Sequence, residues 1–262
     1  MAEIQTRAVT VAYSDIGEGR PLLLLHATLH DRRDFDPVLD ALARTYRVIA
    51  LDWPGHGEST APEDQELTSV LLAECLEDLV DALGLDSVTC IGNSVGGFAA
   101  ARLAITRPDL VRALVLVNTA GFTPTHLLAR AGCALMGRPT AFRRIYPTFL
   151  RLYLQASSAS DREIAGRALD RARSEAGLRT ATSLWRSFAS PENDLRRRAT
   201  RIQAPTLIVW GTRDRTFPLS WGRATRRAIP GSQLATLPVG HVAFSSAPDE
   251  FLELVGPFLA EH

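Results

Sequence analysis

Short, continuously apolar runs alternate with amphipathic stretches through the first 120 residues. Pro21–His26, Tyr46–Leu51, Ser87–Gly92 and Arg112–Val117 read as strands covered on both faces, because a strand with one wet face alternates instead. Arg7–Ile16 does alternate, around Val9, Val11 and Tyr13, and predicts an edge strand. Leu67, Leu71, Leu76, Leu79, Val80 and Leu83 fall at helical spacing, with Gly84 as a stop. Val95–Arg107 predicts a second helix, ended by Pro108. Strands alternating with helices predict an α/β fold, a mostly parallel sheet with helices on both faces.

The rhythm breaks at Gly121. From Phe122 to Arg201 no strand-like run occurs, and Ala, Leu and Arg recur at helical spacing, interrupted at Gly137-Arg-Pro139 and Ser157-Ser-Ala-Ser160. This predicts three or four inserted helices. Alternation then resumes with a strand at Pro205–Trp210, a helix at Pro218–Ile229 and a strand at Ser232–Leu237. Ser246-Ala-Pro-Asp249 has the N-cap, first-turn Pro and acidic residue of a helix start, and predicts a closing helix to about Ala260. The expected organisation is one core domain, residues 1–121 and 202–262, interrupted by a helical cap at 122–201.

Composition narrows the function. The 262 residues are 46% hydrophobic and 22% charged, with 29 basic against 29 acidic side chains, so no global basic field exists to hold a nucleic acid. Every basic residue is Arg, since the chain has no Lys. Three cysteines, Cys75, Cys90 and Cys133, lack metal-ligand spacing, so neither a disulfide framework nor a metal site is expected, and no cofactor is implied. The N-terminal residues contain no apolar signal core, and no run approaches the ~18 apolar residues of a membrane span. A cytoplasmic protein acting on a small molecule, as monomer or homodimer, is the expectation.

Gly92-Asn-Ser94-Val-Gly96 matches G-x-S-x-G at the junction of a predicted strand and helix, where a sharp turn can lift a serine hydroxyl above the sheet edge. A serine needs a base to take its proton, and the base needs a third group to orient it. His241 follows the strand Ser232–Leu237, and Asp214 follows the strand Pro205–Trp210, which gives the chain order Ser, Asp, His. His26 ends a strand and is expected to order the loop after it; His56, in a turn rich in Gly and Pro, is expected to be structural, and His126 and His262 exposed.

Four segments, His26-Ala-Thr28, Asp52-Trp-Pro-Gly-His-Gly-Glu-Ser59, Gly92-Asn-Ser-Val-Gly96, and Gly211-Thr-Arg-Asp214 with Gly240-His241, give the chain a resemblance to the α/β-hydrolase superfamily over nearly its whole length. The resemblance implies Ser94 as nucleophile, His241 as general base and acid, and Asp214 as its orienter. It also implies an oxyanion hole from the backbone N–H groups of Thr28 and Val95, and a cap made by the insertion. Family members usually carry Gly where this chain has Ala27; alanine tolerates positive φ poorly, so either a reshaped loop or an oxyanion donor one position from Thr28 is expected there.

The leading reading is hydrolysis of a small carboxylic ester, thioester or lactone through an acyl-enzyme on Ser94. The alternative is C–C bond hydrolysis of a ring-cleavage dienoic acid, whose elbow Gly92-Asn-Ser94-Val-Gly-Gly97 resembles; a non-hydrolytic cyclase, lyase or ligand sensor is a third. Leu29, His30, Arg144, Trp185 and Phe217 are candidate substrate contacts, whereas Phe142, Tyr146, Phe149 and Phe188 are expected mainly as cap core. Residues 121–201 carry 15 Arg against 6 acids, while residues 1–120 carry 9 against 18. The cap arginines either sit in solvent and pair with the core, or one or two of Arg143, Arg144 and Arg151 face the cleft and bind an anionic substrate.

Overall fold

The computed structural model describes residues 2–62, 65–123 and 127–262. The chain opens with two antiparallel strands, β1 (Ala2–Gln5) and β2 (Thr10–Ile16). The sheet edge is therefore β1, and the strand expected at the edge lies one place in. β1 has no fully buried side chain, so its apolar signal is weak. The expected continuous runs form β3 (Arg20–Leu25), β4 (Tyr46–Leu51), β5 (Val88–Asn93) and β6 (Val111–Val117) within a residue or two of their predicted bounds.

Helix α1 (Asp36–Ala43), with a short 3-10 turn before it, joins β3 to β4. The hydrophobic pattern does not predict it, because it buries only Val38 and Leu42 over two turns. Helices α2 (Ser69–Ala82) and α3 (Val95–Thr106) flank β5 in the chain, as expected. Four helices then follow: α4 (Leu127–Met136), α5 (Pro139–Leu154), α6 (Ala159–Arg173) and α7 (Glu175–Ser187). The core resumes with β7 (Thr206–Gly211), α8 (Leu219–Ala228) and β8 (Gln233–Leu237), then the one-turn α9 (Ala243–Ser246) and α10 (Pro248–Glu261). Ser246 does not cap α10. Ala247 holds that position, and the Ser246 hydroxyl instead donates to Asp161 Oδ1 at 3.0 Å.

The sheet order is β1-β2-β4-β3-β5-β6-β7-β8, parallel from β4 onward across the sheet. Two apolar layers follow from the pleat. Leu23, Leu25, Cys90 and Leu114 face α2 and α3, while Leu22, Leu24, Ile91 and Val115 face α1 and α10. Leu22–Leu25 are entirely buried, each worth about 1.5–3 kcal/mol relative to exposure. Because all six core strands run the same way, β3, β5, β7 and β8 release their following loops at one sheet edge. That edge carries Thr28, Ser94, Asp214 and His241.

Candidate active site

Ser94 joins β5 to α3 with φ 56° and ψ −115°, a conformation held by its surroundings. Its N–H donates to Val117 O and its carbonyl accepts from Ala120 N–H, each at 3.1 Å. The flanking glycines have a steric cause: a Cβ on Gly92 would lie 2.5 Å from Gly96 O, and one on Gly96 would strike Leu25 O. Ala99, Ala100 and Ala101 are fully buried and extend the close approach of helix to sheet.

Beyond β7, Asp214 is buried and its carboxylate is saturated. Oδ1 accepts from Thr216 N–H (2.8 Å), the Thr216 hydroxyl (2.9 Å) and Phe217 N–H (2.9 Å). Oδ2 accepts from Asn118 Nδ2 (3.1 Å) and faces His241 Nδ1 at 2.6 Å. An aspartate accepts only, so Nδ1 carries the hydrogen and Nε2 is left as the acceptor, the tautomer a general base requires. Ser94 and His241 line one cavity of about 380 Å³. Val95 is the first residue of α3, so its N–H has no intrahelical partner, and among the described residues no hydrogen bond occupies the Thr28 N–H.

Two asparagines that no sequence motif singles out complete the site. Asn118, at φ 39° after β6, donates to Asp214 and accepts from Gly211 N–H at 2.8 Å, fixing the acid to its strand. Asn93 donates from Nδ2 to Val117 O and to His241 O, each at 3.0 Å, tying the histidine loop to the elbow. A buried amide at the end of an apolar run is the available signal for both.

The loop after β3 is ordered by His26, as expected. Its Nδ1 hydrogen donates to Ala27 O (2.7 Å), and Nε2 accepts from Trp53 N–H (3.0 Å). Ala27 does not take the positive φ; Leu29 does, at 66°, in a turn closed by His30 N–H on Ala27 O. The substitution of alanine is thereby accommodated, with the strain one step downstream of Thr28.

His56 is also structural, donating from Nδ1 to Pro54 O at 2.9 Å. Burial pushes His26 down to about 3 and His56 well below the ordinary 6.5. Both stay neutral in the folded protein while their unfolded counterparts protonate below pH 6.5. Their contribution to stability is therefore present above pH 6.5 and lost as pH falls below it, down to about 3 in the case of His26. Asp36 and Asp52, raised by burial above 3.8, act in the opposite sense. Denaturation midpoints measured from pH 7 to 4.5 are expected to fall, less steeply in His56→Gln; a flat profile would contradict the assignment.

Of the expected substrate contacts, Trp185 and Phe217 line the cavity; Leu29, His30 and Arg144 do not. Leu29 is in the core because its left-handed turn points it inward, and His30 is buried between Asp34 and Tyr153. Arg143, Arg144 and Arg151 are exposed on the outer face of α5. Other arginines, on α6 and α7, pair with acids that precede β5 in the chain: Arg167 with Asp31 and Asp34, Arg171 with Asp31, and Arg186 with Glu66. Conversely Tyr146, Phe149 and Phe188, expected mainly in the cap core, face the cavity, and only Phe142 is wholly internal. Among the described lining residues none is Asp, Glu or Arg. His126 lies outside the described residues.

A family model described as the alpha/beta hydrolase fold matches residues 20–248. A 2-hydroxy-6-oxononadienedioate/2-hydroxy-6-oxononatrienedioate hydrolase of Klebsiella pneumoniae subsp. pneumoniae is 31% identical, over 97% of this chain and 92% of that protein. A second hydrolase of the same description, from Pseudomonas putida, is 32% identical over 94% and 90%. The enol-lactonase from Burkholderia xenovorans superposes with a TM-score of 0.85 at 24% identity, covering 99% of this chain and 100% of its own. No helix among the described residues is long and apolar enough to cross a membrane.

Proposed function

The chain belongs to the alpha/beta hydrolase fold family and is a hydrolase, and from that premise we propose that it cleaves an acyl bond of an uncharged, largely apolar carboxylic ester or lactone. One observation carries the reading: the cavity that Ser94 and His241 share is walled mainly by aromatic and aliphatic side chains, with the neutral polar Thr28, Thr123, Asn193 and Thr216 among them and no Asp, Glu or Arg among the described lining residues. A carboxylate entering it would lose its hydration without gaining a cation. In this reading residues 122–201 are the cap and 1–121 with 202–262 the core.

Ser94 Oγ attacks the carbonyl carbon while His241 Nε2 takes the hydroxyl proton, and Asp214 stabilises the imidazolium that forms. The N–H groups of Val95 and Thr28 bind the developing alkoxide, each worth about 3–4 kcal/mol in such a site. Collapse expels the alcohol with the proton from His241. Water then gives a proton to His241 and attacks the acyl-enzyme, and collapse of the second tetrahedral adduct releases the acid as His241 returns that proton to Ser94 Oγ.

The second reading is C–C hydrolysis of an oxo-dienoate. The names of the relatives fit it better than they fit ester cleavage, and the Gly92-Asn-Ser94 elbow agrees with them. It uses the same acyl-enzyme but expels a carbon leaving group and must house the substrate's carboxylate.

A panel of p-nitrophenyl esters of graded acyl length, a neutral lactone and one 2-hydroxy-6-oxo-dienoate separates the two. Neutral substrates are expected to have the higher kcat/KM, with salt profiles parallel for matched anionic and neutral esters, because the arginines of α5 face outward. A dienoate turned over faster than every ester would replace the first reading by the second.

A further inference from the structure

A second Asp–His–hydroxyl chain lies beside the first. Asp34 Oδ2 bonds His30 Nδ1, and His30 Nε2 bonds the hydroxyl of Tyr153 on α5. His30, Asp34 and Tyr153 are at most 4% exposed. The acceptor-only carboxylate puts the His30 hydrogen on Nδ1, so Tyr153 donates to Nε2 and the whole chain points one way. Burial holds the Tyr153 hydroxyl well above its usual range, so it remains a donor. Polar groups buried this completely are costly unless every one is bonded, and an apolar filling of the same space would be cheaper.

Both ends of the chain reach the proposed machinery. Tyr153 packs edge-on against the His241 ring, with centroids 4.9 Å apart at 89°, and lines the cavity. It sits where α5 ends, and two carbonyls there accept from the loops of the triad: Tyr153 O from His241 N–H (3.0 Å) and Leu152 O from Arg215 N–H (3.2 Å). Gly240 fits this seam because a Cβ there would strike Leu154 O. At the other end, Arg167 of α6 bonds Asp34 Oδ1 at 2.9 Å. Arg171, one turn on, donates to Leu29 O and His30 O, each at 2.7 Å, in the loop that carries Thr28.

We propose that Asp34–His30–Tyr153 is a positioning relay that locks His241 and the Thr28 loop in register with the cap. It rests on the reading of Ser94 as nucleophile and His241 as base. None of the three residues touches the reacting atoms in this account. Their effect is to remove freedom from the base and the oxyanion donor together, so it falls on the transition state rather than on substrate binding.

Tyr153→Phe and His30→Gln, assayed on the best p-nitrophenyl ester, are each expected to lower kcat about 10- to 100-fold with KM within about twofold. Affinity for a trifluoromethyl ketone of matched acyl length, which adds to the serine and presents an oxyanion, should weaken in the same proportion. The double variant should lose no more than the worse single one, because both interrupt one chain. Unchanged kcat, losses that multiply, or an effect confined to KM would overturn the relay. If either single variant fails to fold, the other carries the test; failure of both would make the chain structural and overturn the proposal. Full activity in Ser94→Ala would sink the underlying reading, whereas an inactive Ser94→Ala beside a normal Tyr153→Phe would sink the relay alone.

Discussion

Ser94→Ala is expected to lower kcat by about 10⁴- to 10⁶-fold, the largest loss of any single substitution in the chain. The residual rate would come from the N–H groups of Thr28 and Val95 and from binding, which the change leaves in place. Stability should move by no more than about 0.5 kcal/mol, since among the described residues the Ser94 hydroxyl holds no hydrogen bond and its backbone contacts persist. The alanine keeps a Cβ at φ 56°, so the elbow retains its strain. Steady-state assay of a clean preparation, with fluorophosphonate labelling of wild type and variant, checks both halves. Labelling that survives in Ser94→Ala, or turnover above about 1% of wild type, would remove Ser94 from its role.

The sequence carried the elements of this site further than its lining. β4 is legible to the residue, and β3, β5, β6 and β7 to within two, because strands buried on both faces are continuous apolar runs; β8 is the other edge strand and has no fully buried side chain. Ser94 and Asp214 follow two such strands and His241 follows β8, so the parallel sheet brings all three candidates to one edge. β1 and α1 were not legible, since neither buries enough apolar surface to leave a periodic trace.

Contacts between distant segments were beyond it. Nothing local to His30 says that its partners are four residues on and on α5, so the sequence leaves it only a candidate substrate contact, and the structure places it in the interior. The arginines of α5 and α6 look alike in sequence. Arg144 faces solvent and Arg171 reaches the Thr28 loop because the two helices turn different faces to the core. Phe149 and Phe142 differ in the same way, one lining the cavity and one fully buried away from it.

Asp214→Asn is expected to lower kcat by about 10⁴-fold while KM changes little. The amide can fill the same space, yet its Nδ2 would donate where the carboxylate only accepts. If Nδ2 takes the place of Oδ2, it faces the donors Asn118 Nδ2 and His241 Nδ1; if it takes the place of Oδ1, it faces Thr216 and Phe217. In the first arrangement His241 must move its hydrogen to Nε2, which turns the base away from the Ser94 proton. The second leaves two backbone N–H groups opposed by a donor and distorts the loop after β7. Neither outcome keeps a base of the right tautomer in the right place. No second acid can substitute after β6, where the sheet edge presents Asn118 rather than a carboxylate. Asn118→Ala should therefore weaken the same step by less, about 10-fold, because it loosens the acid without removing it. Comparison of kcat for the two variants, with KM as the control for binding, checks the order. A near-normal kcat in Asp214→Asn would mean that the orienting group is not Asp214, and that the 2.6 Å contact to His241 serves the fold alone.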